Sequence, residues 1–317
     1  MTQNPVLGTL DSVIRMKCLY TSDLHGEIHL YQELLSLSSS TSSDIIIMGG
    51  DLLPSFPPTK RYEDMVPNQK TFIDQFLKSF FGRILDTTST VQIFLIPGNW
   101  DLGYPYIFKE PIEGITDLTQ KSYQLKNGYE LIGYPFVPPT PFRPKTYEKM
   151  DDRETPWPPQ KDPSYILASD QTDQVTPIDP YHYLRERETI EEELDRLPKP
   201  LDTKRTVYVM HSPPFGTRLD MIQGGISAGS RSIRTFIERN QPLLTLHGHI
   251  HESPILSGAY LDRIGKTHSI NPGQSAWSGG DVMKLDAVTF KMENMKGTLR
   301  HTRYPLTPSL SQGRGEG

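Results

Sequence analysis

Five apolar runs set the terms on which this chain can fold. IRMKCLYTS leads into Asp23-Leu24-His25-Gly26, DIIIMGG into Asp51, and VQIFLIPG into Asn99-Trp100-Asp101. TVYVM leads into His211-Ser212-Pro213-Pro214, and PLLTLHG into His249-Ile250-His251. Each run is short, unbroken and rich in Ile, Val and Leu, which is the composition of a strand buried on both faces. Helical spacing fills intervals between them, in HLYQELLSL, NQKTFIDQFLKSFFGRIL and SIRTFIERN. Alternation of this kind requires an α/β fold with a largely central sheet. The polar residues fall just past the C-terminal ends of the strands, the edge at which open α/β sheets bind ligands. Of the nine histidines, five (His25, His211, His247, His249 and His251) lie at these strand ends.

A length of 317 residues suits one elaborated domain. The expected boundaries are a single domain over residues 1–305 and a small, polar, disordered tail, LTPSLSQGRGEG, over 306–317. From about Tyr134 to Pro200 the chain is proline-rich and polar, then charged. This reads as an insertion lying over the fold, with one solvated helix in YHYLRERETIEEELDRL and much irregular backbone. From Ser253 to Arg300, short strands with glycine turns are expected to extend a second sheet, VMKLDAVTFKMENMKGTLRH forming a hairpin.

The formal net charge of -5 and pI near 6.0 leave no basic footprint, so nucleic acid is not an expected partner. The one cysteine, Cys18, cannot make an internal disulfide, which suits a reducing compartment. The opening MTQNPVLGTLDSVIRMK lacks the charged and apolar regions of a secretory signal, and no apolar run approaches the roughly 20 residues that span a bilayer. A cytoplasmic protein with no membrane partner is therefore expected, its oligomeric state left open.

Asp23 and His25, two apart at an extended strand end, point the same way and can reach one cation; His249 and His251 do likewise. Asp51, Asn99 and His211 add a carboxylate, an amide oxygen and an imidazole from neighbouring strands. These seven donors mix oxygen and nitrogen without a thiolate, which suits Mn, Fe, Zn or Mg. Seven are too many for one tetrahedral ion and fit two ions sharing a bridging carboxylate. Singly, a strand-end Asp or Asn caps a turn and a lone His is a satisfied polar residue. The ordered set on one sheet edge outweighs those readings.

The succession SDLHG, GGD, PGNWD, MHSPP, HGHIH, followed by SINPGQS, resembles the calcineurin-like metallophosphoesterase superfamily over about Arg15 to Gly273, the insertion excluded. HSPPFGTRLD and HGHIHE are most similar to its small bacterial and archaeal phosphoesterases. The resemblance implies a four-layer αββα sandwich and a dinuclear phosphohydrolase. Asp23, His25, Asp51 and His251 would hold one ion, and Asp51, Asn99, His211 and His249 the other, with Asp51 bridging. Two such ions lower the pKa of a bridging water, and the hydroxide attacks phosphorus in line. The catalytic work thus centres on Asp51, Asn99 and His211.

Trp100 stands where the superfamily's pattern has a histidine assigned to protonating the leaving oxygen. Indole has no proton that titrates near neutral pH. Loss of acid catalysis costs about 10²–10⁴-fold in rate, most for a poor alkoxide leaving group. The expected activity therefore moves toward phosphodiesters and away from alkyl monoesters. Trp100 either stacks on a substrate ring or packs a loop, and Asp101, its histidine partner gone, caps the loop. His247 belongs to the core or to the surroundings of the ligands. Ser230 caps a helix at whose start Arg231 offers a second substrate-binding residue, for phosphate. The expected substrate is small and phosphorylated, a nucleotide-like molecule among the candidates, with Mn the first choice of metal. The alternative is a non-catalytic or regulatory binding module that retains the fold.

Overall fold

The alternation of side chains along each apolar run divides it between two cores. The computed structural model describes residues 15–87, 90–156, 166–168, 175–274 and 284–303. In β1 (Lys17–Thr21), Leu19 faces one core while Cys18 and Tyr20 face another. β2 (Ile45–Met48) divides Ile46 and Met48 from Ile45 and Ile47, and β3 (Gln92–Leu95) divides Ile93 and Leu95 from Phe94. The outer set packs with helices α1 (Ile28–Thr41) and α3 (Lys78–Thr87) through Leu30, Tyr31, Leu34, Phe80, Phe81 and Ile84, and with α2 (Met65–Phe72) through Phe72. Full burial of each such side chain contributes about 1.5–3 kcal/mol.

The inner set meets a second sheet. The remaining strands are β4 (Ile115–Asp117), β5 (Ser122–Gln124), β6 (Glu130–Tyr134), β7 (Ile166–Ala168), β8 (Thr176–Ile178) and β9 (Thr206–Met210). They continue with β10 (Met221–Ile222), β11 (Ile226–Ser227), β12 (Leu244–Leu246), β13 (Leu261–Ile264), β14 (Thr267–Ile270), β15 (Ala287–Lys291) and β16 (Arg300–His301). One six-stranded sheet runs β16-β15-β1-β2-β3-β4 and the other β13-β14-β12-β9-β6-β5. Leu131, Val207, Val209, Leu244 and Leu246 fill the space between the sheets. On the far side, Ile132, Tyr134, Tyr208 and Met210 pack under Ile190, Leu194, Ile233 and Phe236, carried by α5 (Ile190–Leu194) and α6 (Arg231–Asn240). The layers are helix, sheet, sheet, helix, as expected from the motifs.

Register positions the site. β1, β2 and β3 run parallel with Thr21 opposite Met48 and Met48 opposite Leu95. Their loops therefore leave the sheet at one level, as do those after the parallel β9 and β12.

Two elements depart from expectation. Residues 181–197 form two helices, α4 (Pro180–Arg185) and α5, where one was expected. Thr189 starts the second: its hydroxyl accepts from Glu192 N at 3.2 Å, and the Glu192 carboxylate accepts from Thr189 N at 3.0 Å, a reciprocal capping box. Nor is this segment wholly solvated, for Ile190, Glu193 and Leu194 are buried. The C-terminal strands also divide: β13 and β14 extend the second sheet, but β15 joins the first antiparallel to β1, and β16 follows antiparallel to β15. Val288 and Phe290 explain this, since from β15 they reach the core between the sheets. The tail at 306–317 and part of the 134–200 insertion lie outside the described residues. No helix among those residues is long and apolar enough to cross a membrane.

Candidate metal centre

The strand-end residues converge by sharp turns. Asp23, His25, Asp51 and His249 have positive φ values of 61°, 46°, 52° and 67°, so the backbone turns left-handed where extended strand ends were expected. Such conformations cost a non-glycine residue on the order of 1–3 kcal/mol each and gather at functional sites. Here Asp23 N donates to Gly50 O at 2.9 Å and His25 N to Asp51 O at 2.8 Å, which stitches two loops together. Glycines make room: a Cβ on Gly98 would overlap the Asp51 carboxylate, and one on Gly248 would overlap Ser22 and Asp23.

Two groups of ligand atoms result, Asp23, His25, Asp51 and His251 in one and Asp51, His211 and His249 in the other. His25 Nε2 lies 3.1 Å from His251 Nε2 and 3.7 Å from Asp51 Oδ2; His251 Nε2 lies 3.2 Å from Asp23 Oδ1. Asp51 Oδ2 is also 3.4 Å from His211 Nε2, so one carboxylate oxygen faces both groups. Its other oxygen accepts from Trp100 N at 2.8 Å, which fixes the carboxylate. His249 and His251 fall into different groups, so spacing by two does not aim them at one ion as the strand period had suggested.

Whether these residues fit a cation is answered by unpaired atoms. Both side-chain polar atoms of Asn99, and Nε2 of His211, are buried without a hydrogen-bond partner. A buried polar atom left so costs about 1–3 kcal/mol, and a metal ion would satisfy the lone pairs of Asn99 Oδ1 and of an unprotonated His211 Nε2, Asn99 Nδ2 being a donor. The donor set of carboxylates, imidazoles and an amide suits a divalent ion of intermediate hardness. The outer nitrogens are held: His211 Nδ1–H donates to Gly49 O at 2.7 Å, and His25 Nδ1 meets the Ser55 hydroxyl.

Charge follows burial and pairing. Burial drives His25 and His249 down, to about 4 and about 3, leaving neutral rings. It opposes charge on His211 too, but Asp51 outweighs it and holds that imidazole up at about 9. Burial would raise Asp23, yet His251, then His211 and His25, keep its carboxyl below the usual range.

The remaining sequence candidates sort by geometry. Trp100 is 7% exposed, packs on Met65, Val66 and Leu102, and also lines the cavity above the ligands. Asp101 accepts from the backbone N–H groups of Leu52, Leu53 and Gly98 at 3.0, 2.8 and 2.9 Å, a loop-holding role. His247 is fully buried, with Nε2 2.8 Å from Thr245 Oγ1, and Nδ1 2.8 Å from the Ser212 carbonyl oxygen. Ser230 does cap α6, accepting from Ile233 N at 3.0 Å. The anion at that helix start, however, belongs to the chain: the Asp151 carboxylate accepts from Arg231 N at 2.7 Å, from Ser232 N at 3.3 Å and from the Ser230 hydroxyl. The Arg231 guanidinium lies 3.7 Å over the Phe215 ring and does not line the cavity above the ligands. The Asp151 carboxylate thus takes the helix start beside Arg231 at which a phosphate was expected, because that segment folds back across it.

Sequence reading missed the supports. Asn271, in the N-P-G turn, donates through Nδ2 to Leu219 O at 2.9 Å, Gly248 O at 3.3 Å and Ile250 O at 3.1 Å, so it holds the HGHIH loop. Gln69 donates to Trp100 O at 2.7 Å and accepts from Gly103 N at 2.6 Å. Neither has a local periodic signal, since each acts across a long sequence separation.

Comparison with known proteins bears on the fold and on the family. One solved crystal structure aligns over 92% of this chain and 100% of its own, with 17% identity and a TM-score of 0.57, which bears on the fold alone. TT1561 of Thermus thermophilus is 16% identical over 90% of this chain and 98% of its own, TM-score 0.49. A novel archaeal phosphodiesterase is 10% identical over 90% and 98%, TM-score 0.41. No curated protein matches the sequence. The model of the calcineurin-like phosphoesterase family matches residues 16–253, and the ordered ligands of both clusters lie within that span: the chain belongs to the calcineurin-like phosphoesterase family.

Proposed function

We propose that the protein is a dinuclear metal-dependent phosphohydrolase that prefers phosphodiesters. The observation that carries the reading is Asp51 Oδ2, shared between two ligand groups, beside the unpartnered atoms of Asn99 and His211. Asp23, His25, Asp51 and His251 would hold one ion, and Asp51, Asn99, His211 and His249 the other. Bound there, two divalent ions supply Lewis acidity toward phosphoryl oxygens and an activated water as nucleophile. Mn is the metal we favour. Asp51, Asn99 and His211 then act at the reacting atoms, while Ser55 and the Gly49 carbonyl hold the imidazoles in register.

The preference for diesters rests on what stands around the ligands. Trp100 brings no titratable proton to the leaving oxygen. No lysine or arginine lines the cavity among the described residues, so a diester's single negative charge suits it better than a monoester's two. The substrate is then a small phosphorylated molecule met in the cytoplasm, where the lone cysteine, Cys18, stays a buried thiol.

The test is hydrolysis of bis(4-nitrophenyl) phosphate and 4-nitrophenyl phosphate by stripped protein reloaded with Mn²⁺. Metal-dependent turnover favouring the diester is expected. Two bound ions with no turnover of either would replace the enzyme by a binding module.

A further inference from the structure

The cavity over the ligands has a volume of about 460 Å³, within the range of small-molecule sites. Its wall is aromatic and comes from three loops. Phe56 follows the Asp51 turn, Trp100 follows Asn99, and Phe142 sits in the proline-rich segment after β6. Phe56 lies 5.0 Å from Trp100 at an interplanar angle of 54°, and Trp100 lies 5.4 Å from Phe142 at 51°. Trp100 is nearly buried, but Phe56 and Phe142 are 59% and 47% exposed. Pro138, Pro139 and Pro141 continue the wall.

The segment that carries Phe142 is firmly held. Lys145 and Glu148 form a 2.8 Å ion pair with both side chains fully buried, and Lys145 Nζ donates to Thr140 O at 2.8 Å. Glu148 accepts from Thr140 N at 3.0 Å. Stiff prolines and a buried ion pair thus present a large apolar ring at a wet rim, where solvation opposes it. Across the cavity, Glu252 adds a carboxylate. A second phosphate would meet that carboxylate and no cation from the wall.

Resting on the proposed phosphodiesterase reading, we infer that the Phe56–Trp100–Phe142 wall selects substrates with one phosphoryl group bearing a flat, uncharged ring. The ring lies on the wall while the phosphoryl group faces the Asp51 clusters. Polyphosphates are disfavoured by charge, and phosphorylated sugars by the apolar face that the three rings and the prolines turn to the cavity.

The test is calorimetric binding of phenylphosphonate and methylphosphonate to the Mn²⁺-loaded full chain. The two probes share a head group and differ by the ring. Phenylphosphonate is expected to bind about 5- to 150-fold more tightly, the factor that stacking on aromatic side chains supplies. In F56A/F142A that ratio should fall toward one; both side chains are exposed, and Phe142→Ala alone serves if the double variant melts early. A wild-type ratio of one, or a ratio that the variants leave intact, overturns the wall while leaving the metal reading in force. Failure of both probes to bind metal-loaded protein overturns the wall, and the diester hydrolysis assay then decides the metal reading separately. Uridine 5′-monophosphate sorts the sources of the ring: affinity above methylphosphonate that the variants abolish assigns a nucleobase, and affinity equal to it assigns a ring directly on phosphorus.

Discussion

Replacing Asn99 by leucine should stabilise the metal-free protein and weaken its response to metal. Both polar atoms of the Asn99 side chain are buried without partners. Removing such a group relieves a desolvation penalty of about 1–3 kcal/mol, provided the replacement fills a similar volume. At roughly 2–4 °C per kcal/mol for a chain of this class, the metal-free Tm should rise by several degrees. Metal acts in the opposite direction. An ion present at about 100 times its Kd stabilises the native state by about 2.7 kcal/mol, and losing a ligand lowers that gain. Thermal unfolding of wild type and N99L, each stripped with chelator and then titrated with Mn²⁺, reads both effects. The expected pattern is a higher starting Tm and a smaller Mn²⁺-induced rise. A packing defect would lower Tm in both forms. A lower metal-free Tm together with an unchanged Mn²⁺ response would refute the reasoning.

Further outcomes follow from the same geometry. D51N should lose both metal retention and hydrolysis, because the shared negative charge disappears; unchanged metal content by elemental analysis would sink the bridging assignment. W100H should raise turnover of alkyl monoesters, with the about 10²–10⁴-fold worth of acid catalysis as its ceiling. It also removes packing against Met65, Val66 and Leu102, so a variant with a lower Tm and no new activity would leave Trp100 a packing residue. K145M removes the cation from Glu148, whose carboxyl is already pushed up to about 7 by burial, and should cost up to about 3–5 kcal/mol in urea unfolding above that pH, with K145M/E148L recovering most of it. A loss below about 1 kcal/mol would mean that water reaches the pair.

Much of this was legible in the chain. The five apolar runs name their own strands because a two-faced core selects apolar residues along most of each run, a local signal. The ligand types follow each run directly, so their identity and order needed no third dimension. Thr189 and Glu192 also carried a readable capping box, although the charge spacing around them suggested one continuous helix.

Contacts across long separations were not legible. The two ligand groups share Asp51 only because parallel register levels the ends of β1 and β2 in one sheet and of β9 and β12 in the other, the two sheets pack face to face, and the backbone then turns left-handed at Asp23, His25 and Asp51. Asp151 takes the start of α6, beside Arg231, through contacts about eighty residues apart. Phe56, Trp100 and Phe142 make one wall from three loops that share no periodicity. Sequence by itself determined which strands form and which donors end them, since those depend on neighbours a few residues away. Tertiary structure decided which donors meet, which anion fills the helix start and what surrounds the metal ligands, since those depend on how separate loops converge in space.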